Sequence, residues 1–292
     1  MAPTVARTAP AADGPFRGPD MPSDTVPGVP GPFAVPPSEP EPRDLLRDRR
    51  VVVTAAAGTG IGFATARRCL LEGASVLLSD HHERRLGEAA DRLADELGIG
   101  RPPVAVCDVT NEAQVQALFT TANEALGGFD TVVNNAGLGG EVPLVDMTDA
   151  QWSAVLDVTL TGTMRVTRAV LPHMLERRRG AIVNNASVLG WRAQEGQAHY
   201  AAAKAGVMAL TRCAAIEAAP AGVRVNAVAP SIAMHEFLAK VTPPGLLAEL
   251  ESREAFGRAA TPDEVANVIV FLASELASYM TGEVVSVSSQ HP

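Results

Sequence analysis

Lysine is almost missing from this chain: Lys204 and Lys240 are the only two among 24 basic residues. With 33 acidic residues the formal net charge is −9, whereas meeting a phosphate backbone takes a concentrated basic face. Nucleic acid is therefore not an expected partner, and a small-molecule substrate is. Cysteine is scarce too. Cys69, Cys107 and Cys213 lie in separate apolar stretches, three cannot all pair, and no CxxC or Cys/His cluster occurs. Neither a disulfide framework nor a metal site is expected, and a reducing cytoplasm fits. No apolar run approaches the roughly 20 uninterrupted residues of a membrane helix, so a soluble protein with no membrane partner is expected. The chain shows no internal repeat.

What is present is an apolar fraction of 47% over 292 residues, enough for one sizeable core or two smaller ones. Residues 1 to about 45 hold 12 of the 22 prolines and few large apolar groups, which predicts a disordered tail ahead of a single domain over 46–292. No apolar segment follows Arg7, so this is not a secretory signal, and Asp13 and Asp20 argue against a transit peptide. From Asp48 onward, short apolar runs alternate with amphipathic stretches. Strands are predicted at Val51 to Thr54, Ser75 to Ser79, Val104 to Cys107, Thr131 to Val133, Ala181 to Asn184, Arg224 to Val228 and Val284 to Val287. Helical patterns separate them, the longest running from Asp149 to Arg177 and from His199 to Ala218. Strands without polar alternation, spaced by helices, imply a parallel sheet covered on both faces. The expected fold is α/β, a Rossmann-type doubly wound three-layer arrangement around seven parallel strands.

The first strand runs into Thr54-Ala-Ala-Ala-Gly58-Thr-Gly60-Ile61-Gly62, and a helical pattern follows at once. Glycines at such a junction let the backbone turn tightly and let a pyrophosphate approach the N–H groups of the helix N-terminus. A close-packed turn without a ligand is the plainer alternative. The second strand ends at Asp80, 18 residues beyond Gly62, where a dinucleotide fold places the acid that accepts from the adenosine ribose. Asp108 ends the third strand, facing the adenine position. Asn134-Asn135-Ala136-Gly137 ends the fourth and permits close backbone approach.

Tyr200 and Lys204 stand four apart in a helical pattern, so both side chains leave one face. The chain has only two tyrosines and two lysines, so one of each at this spacing is an unusual coincidence for surface chemistry. Exchange of a proton with a secondary alcohol or ketone needs an acid/base group, and a phenol of ordinary pKa near 10 needs tuning to act as a base. The Lys204 ammonium is the group expected to tune it. Ser187, at the end of the fifth strand, is expected to orient the substrate oxygen; an ordinary turn serine is the plainer alternative.

Taken together, the glycine loop, Asp80, Asp108, Asn-Asn-Ala-Gly, Ser187 thirteen residues before Tyr200, and Tyr-Ala-Ala-Ala-Lys resemble the short-chain dehydrogenase/reductase family over residues 48–292. The resemblance implies Ser187, Tyr200 and Lys204 as catalytic residues, with Lys204 also holding the nicotinamide ribose. It implies a nicotinamide cofactor held by Thr54, Gly58, Gly60, Ile61, Asp80, Asp108, Val109, Asn135, Ala136, Gly137, Pro230 and Ile232. It also implies a homo-oligomer, dimer or tetramer. Three positions depart from the family pattern. Ala55 stands where a glycine is usual, Thr159 stands where an Asn holds a water for the proton relay, and Pro230-Ser231 replaces Pro-Gly. The Thr159 hydroxyl is expected to hold that water instead. NAD is expected over NADP because Asp80 would meet a 2′-phosphate with like charge, although His81-His82-Glu83-Arg84-Arg85 carries some counter-charge.

Finer similarity in Val53–Gly62, Ser79–Arg85, Asn184–Arg192 and Thr281–Pro292 resembles an actinobacterial subgroup that oxidises a ring hydroxyl on bicyclic, CoA-linked intermediates of steroid C/D-ring breakdown. The segment from Ala233 to Phe256 would then cover a hydrophobic substrate. A 3-oxoacyl thioester reductase shares every catalytic residue named here. A non-catalytic dinucleotide sensor is the alternative of another class.

Overall fold

Valine-rich runs supply seven strands: β1 (Arg50–Val53), β2 (Ser75–Asp80), β3 (Val104–Val106), β4 (Thr131–Asn134), β5 (Gly180–Asn185), β6 (Val223–Pro230) and β7 (Val284–Val287). In the computed structural model, which describes residues 35–234, 238, 240 and 244–289, all seven pair in parallel in the order β3-β2-β1-β4-β5-β6-β7. The helices are α1 (Ile61–Leu71), α2 (Glu83–Leu97), α3 (Glu112–Leu126), α4 (Asp149–Leu156), α5 (Gly162–Arg177), α6 (Ala198–Ala218), α7 (Pro244–Ser252) and α8 (Pro262–Ala273). This is the doubly wound three-layer fold that the alternating pattern predicts.

Alternation along β1 builds both layers. Val51 and Val53 join Phe63 and Ala66 of α1, Leu86 of α2 and Ile269 of α8 on one face. Val52 points the other way, toward Val115 and Leu118 of α3, Val166 and Val170 of α5 and Ala214 of α6. With both faces covered, Val51 to Val53 of β1 are apolar on both sides rather than alternating with polar residues. Helix starts follow local chemistry: Asn111 accepts from Gln114 N at α3, and Thr148 with Gln151 and Thr261 with Glu264 form capping boxes at α4 and α8.

Two details differ from the sequence pattern. The long helix predicted from Asp149 to Arg177 is broken by a π-helical turn, Asp157–Thr161, between α4 and α5. The second detail concerns the chain just ahead of β1. Residues 1–34 of the expected tail lie outside the described residues, but the segment just before β1 is docked on α1. Arg43 and Leu45 donate their N–H groups to the Glu72 carboxylate at 2.9 and 3.0 Å, Glu39 pairs with Arg67 at 2.7 Å, and Leu46 is fully buried. Burial alone would push the Glu72 carboxyl up, yet those two N–H donors and the Arg68 guanidinium hold it below the ordinary range. Residues 39–46 are therefore tied to α1 by polar contacts and by the buried Leu46, although residues 35–44 remain exposed.

Because the strands are parallel and their carboxyl ends nearly flush, the turns after β1, β2, β4, β5 and β6 gather at one end of the sheet. The order reverses between β1 and β4, which opens a crevice there.

Candidate active site

Thr54 follows β1 and fastens this crevice. Its hydroxyl accepts the N–H groups of Asn135 and Ala136 at 3.0 and 3.2 Å and donates to Val133 O at 3.3 Å. A hydroxyl has one hydrogen and two lone pairs, so this one has no hydrogen bond left to offer a ligand, and the Thr54 side chain fastens β4. Ala55 is forced to φ +50°, the left-handed region, and its carbonyl accepts Asn135 Nδ2 at 3.0 Å. A side chain at Gly62 would sit 2.2 Å from Ala55 O, so only glycine lets α1 pack against this turn. At Gly58, with φ +93°, an added Cβ would meet nothing within 4 Å, so the space beside the loop is open. No side chain caps the N-terminus of α1, which begins at Ile61 after Gly60.

Asp80 is buried at the end of β2, accepting from His82 N at 2.9 Å and from Ala57 N of the loop at 3.3 Å, with His81 Nδ1 3.3 Å away. Asp108 accepts the N–H and hydroxyl of Thr110, and these bonds hold its carboxyl below the ordinary range. Val109 packs against Gly162 of α5. Pro230 ends β6, Ser231 Oγ is buried without a partner, and the Ile232 carbonyl accepts Ala260 N at 2.9 Å. Of the segment expected to cover the substrate, 235–237, 239 and 241–243 lie outside the described residues. The rest includes α7 and Phe256, 45% exposed.

Ser187, Tyr200 and Lys204 converge beside this crevice. Tyr200 lies in the first turn of α6, where its own N–H donates to His199 Nδ1 at 2.9 Å. Its phenol is hydrogen-bonded to Ser187, whose Oγ also accepts Leu189 N at 3.2 Å. One turn later, Lys204 Nζ donates to Asn185 O at 2.5 Å. Burial pushes the phenol up to about 12, against the opposing pull of the Ser187 bond, and pushes the ammonium down to about 8. At neutral pH the site thus holds a protonated phenol beside a lysine that is still mainly charged.

Thr159 sits fully buried in the π turn. Its hydroxyl donates to Leu138 O at 3.2 Å and accepts Leu138 N at 3.0 Å. A Cβ on Gly137 would lie 3.5 Å from Lys204 Nζ and 3.8 Å from Thr159 Oγ1, so both residues lie against Gly137. The hydroxyl, expected to hold a water, is committed mainly to the loop after β4 and keeps one free lone pair. The sequence pattern does not single out His199 or Asn185. The doubled Asn184-Asn185 at the end of β5 is the only local sign of the second.

A nicotinamide dinucleotide fits this arrangement. An uncapped helix N-terminus faces open space at Gly58, a buried carboxylate closes β2, and the polar atoms Asn185 Oδ1 and Ser231 Oγ are buried unpartnered at the ends of β5 and β6. Among the described residues no cluster of His, Cys, Asp or Glu is arranged to hold a metal ion, and no helix is long and apolar enough to cross a membrane.

Comparison with known proteins gives this constellation its class. The profile of the family described as enoyl-(acyl carrier protein) reductase matches residues 55–289. A crystal structure of a short-chain dehydrogenase from Mycobacterium smegmatis superposes with a TM-score of 0.79 at 59% identity, covering 89% of this chain and 100% of its own. The chain belongs to the short-chain dehydrogenase/reductase family and is an oxidoreductase acting on CH–OH groups. A Mycobacterium tuberculosis protein named (5R,7aS)-5-hydroxy-7a-methyl-1-oxo-2,3,5,6,7,7a-hexahydro-1H-indene-carboxyl-CoA reductase is 62% identical over 261 residues, 89% of this chain and 99% of that one. A 3-oxoacyl-(acyl-carrier-protein) reductase of Thermotoga maritima is 38% identical over 240 residues, 82% of this chain and 96% of that one.

Proposed function

We propose that this enzyme reduces a ring ketone of a bicyclic, CoA-linked substrate from steroid ring breakdown, with NAD(H) as cofactor and Ser187, Tyr200 and Lys204 as catalytic residues. The observation that carries the chemistry is the Tyr200 phenol, protonated at neutral pH, hydrogen-bonded to Ser187 and one helical turn from Lys204. The substrate class is supported by the 62% identity to the Mycobacterium tuberculosis reductase over 99% of that protein.

In the mechanism, Ser187 Oγ and the phenol bind the substrate carbonyl oxygen; a nicotinamide dinucleotide, when bound, would supply the hydride chemistry. As the C=O π bond opens, the phenol gives its proton to the oxygen and the product leaves as a secondary alcohol. Lys204 offsets the charge left on the phenolate until a proton returns from solvent. The uncapped start of α1 and the turn around Gly58 and Gly60 would hold the pyrophosphate, and Asp80 the adenosine ribose.

Asp80 also supports NAD over NADP. A 2′-phosphate charge 4 Å from a carboxylate at an effective dielectric near 20 is repelled by about 4 kcal/mol before screening. The reading includes a cytoplasmic homo-oligomer of two or four chains. Three unpaired cysteines support the reducing compartment.

The test is to assay bicyclic CoA-linked ketones and 3-oxoacyl thioesters with NADH and NADPH. Preference for the bicyclic ketone and NADH is expected, and Tyr200→Phe should remove turnover while leaving cofactor binding nearly unchanged. Preference for the acyl thioester moves the assignment to that reaction. No turnover of any ketone or secondary alcohol would favour a dinucleotide sensor.

A further inference from the structure

The amides lying between the dinucleotide loop and Lys204 have an orientation forced by chemistry. Ala55 O can only accept, so the Asn135 atom that faces it at 3.0 Å is Nδ2. Asn135 Oδ1 is thereby turned toward Asn185, which must answer with its own Nδ2, at 2.8 Å. What remains is Asn185 Oδ1, shut off from solvent and without a hydrogen-bond partner. A buried acceptor left in that state carries its full desolvation penalty, so such atoms are rare unless a further donor, a water or a ligand hydroxyl, satisfies them.

The missing partner must be a donor, because a carboxamide oxygen only accepts. The same residue's peptide oxygen already takes one Lys204 N–H at 2.5 Å, which anchors the ammonium on Asn185. Lys204 keeps two further N–H groups and can accept nothing. A group suited to both neighbours accepts from Nζ and donates to Oδ1, and a hydroxyl does both.

We propose that Asn185 is a ribose-binding residue, its Oδ1 accepting a hydrogen bond from a hydroxyl of the nicotinamide-side ribose that Lys204 also engages. The inference rests on the dinucleotide reading of the site and assigns a contact that reading leaves open. An apolar side chain at position 185 would leave the peptide oxygen available to Lys204 but remove the acceptor.

Two ligands separate a ribose contact from a general effect on the loop. ADP carries the adenosine end and both phosphates, whereas ADP-ribose adds the second ribose. In calorimetric titrations of Asn185→Leu, ADP should bind within about twofold of wild type. ADP-ribose and NAD should bind roughly tenfold more weakly, as expected for the loss of one hydrogen bond to a buried site. Asn135→Ala, which loosens the loop but keeps Oδ1, should weaken ADP and ADP-ribose alike. If the leucine variant does not fold, Asn185→Ala removes the same acceptor and is read the same way. Equal weakening of both ligands at position 185, or unchanged ADP-ribose binding, overturns the proposal. Failure of the wild-type protein to bind even ADP overturns the dinucleotide reading and this proposal with it.

Discussion

Lys204 Nζ lies 5.5 Å from the centre of the Tyr200 ring, and the hydrogen bond it makes goes to Asn185 O rather than to the phenol. The lysine therefore acts on the tyrosine as a nearby charge, and its own protonation decides how strong that action is. With burial pushing the ammonium down to about 8 while the phenol stays protonated up to about 12, ketone reduction has both required forms at neutral pH. The reduction rate at saturating cofactor is expected to be level below neutrality and to fall as pH rises through about 8. A pH profile from 6 to 10 checks this, and a profile level through pH 10 would remove Lys204 as the titrating group.

The same burial has a stability consequence. A lysine of ordinary pKa near 10.5 that titrates at about 8 when folded binds fewer protons in the native than in the unfolded state between those values. Stability of the cofactor-free protein should therefore rise with pH across that window. Below it, the buried ammonium is a burden on the order of 3 kcal/mol. Lys204→Met is expected to raise the melting temperature at pH 7 and to lose that advantage near pH 10, which thermal melts at the two pH values would show.

Thr159 offers a separate test, because its hydroxyl is tied to both polar groups of the Leu138 peptide unit. Thr159→Val leaves the Leu138 N–H without its partner, a loss of about 1–3 kcal/mol. The expected result is a lower melting temperature and a KM for substrate that rises more than kcat falls, since the Leu138 loop borders the site. An unchanged melting temperature with a large fall in kcat would instead put the hydroxyl on the proton path.

Truncation distinguishes the N-terminal tail from the segment docked on α1. Deletion through residue 44 removes Glu39, which pairs with Arg67, and Arg43, which donates to the buried Glu72. Calorimetry should find that variant melting several degrees below one truncated at residue 34, with kcat similar in both. Equal melting temperatures would mean that the docked segment adds no stability.

The sheet and the three proposed catalytic residues are legible in the sequence because their signals are local. Valine runs mark β1 and β4, and Tyr200 and Lys204 stand out in a chain with so few of either residue. The rest depends on contacts between distant segments. Nothing local to Thr54 tells that Val133, Asn135 and Ala136 use its hydroxyl completely. Asn185 acquires meaning only when β4 and β5 bring Asn135 alongside it, and Glu72 only when the chain before β1 folds back onto α1. The π turn at Asp157–Thr161 shows no break in helical periodicity, since one widened turn leaves the apolar spacing on both sides intact.

Ala55, Asn135 and Asn185 form one hydrogen-bonded chain, which couples what a substitution at any of the three would do. An alanine in left-handed backbone is disfavoured by roughly 1–2 kcal/mol, a penalty glycine does not carry. Its carbonyl is held by Asn135, and Asn135 is held by Asn185. Starting from an ancestor with glycine there, the two asparagines could be fixed first without penalty, after which alanine becomes tolerable. In the reverse order, the chain passes through an alanine with nothing to hold its carbonyl. Once alanine is in place, loss of either asparagine is penalised more heavily than before, so among descendants of this sequence the three residues should persist or change as a set.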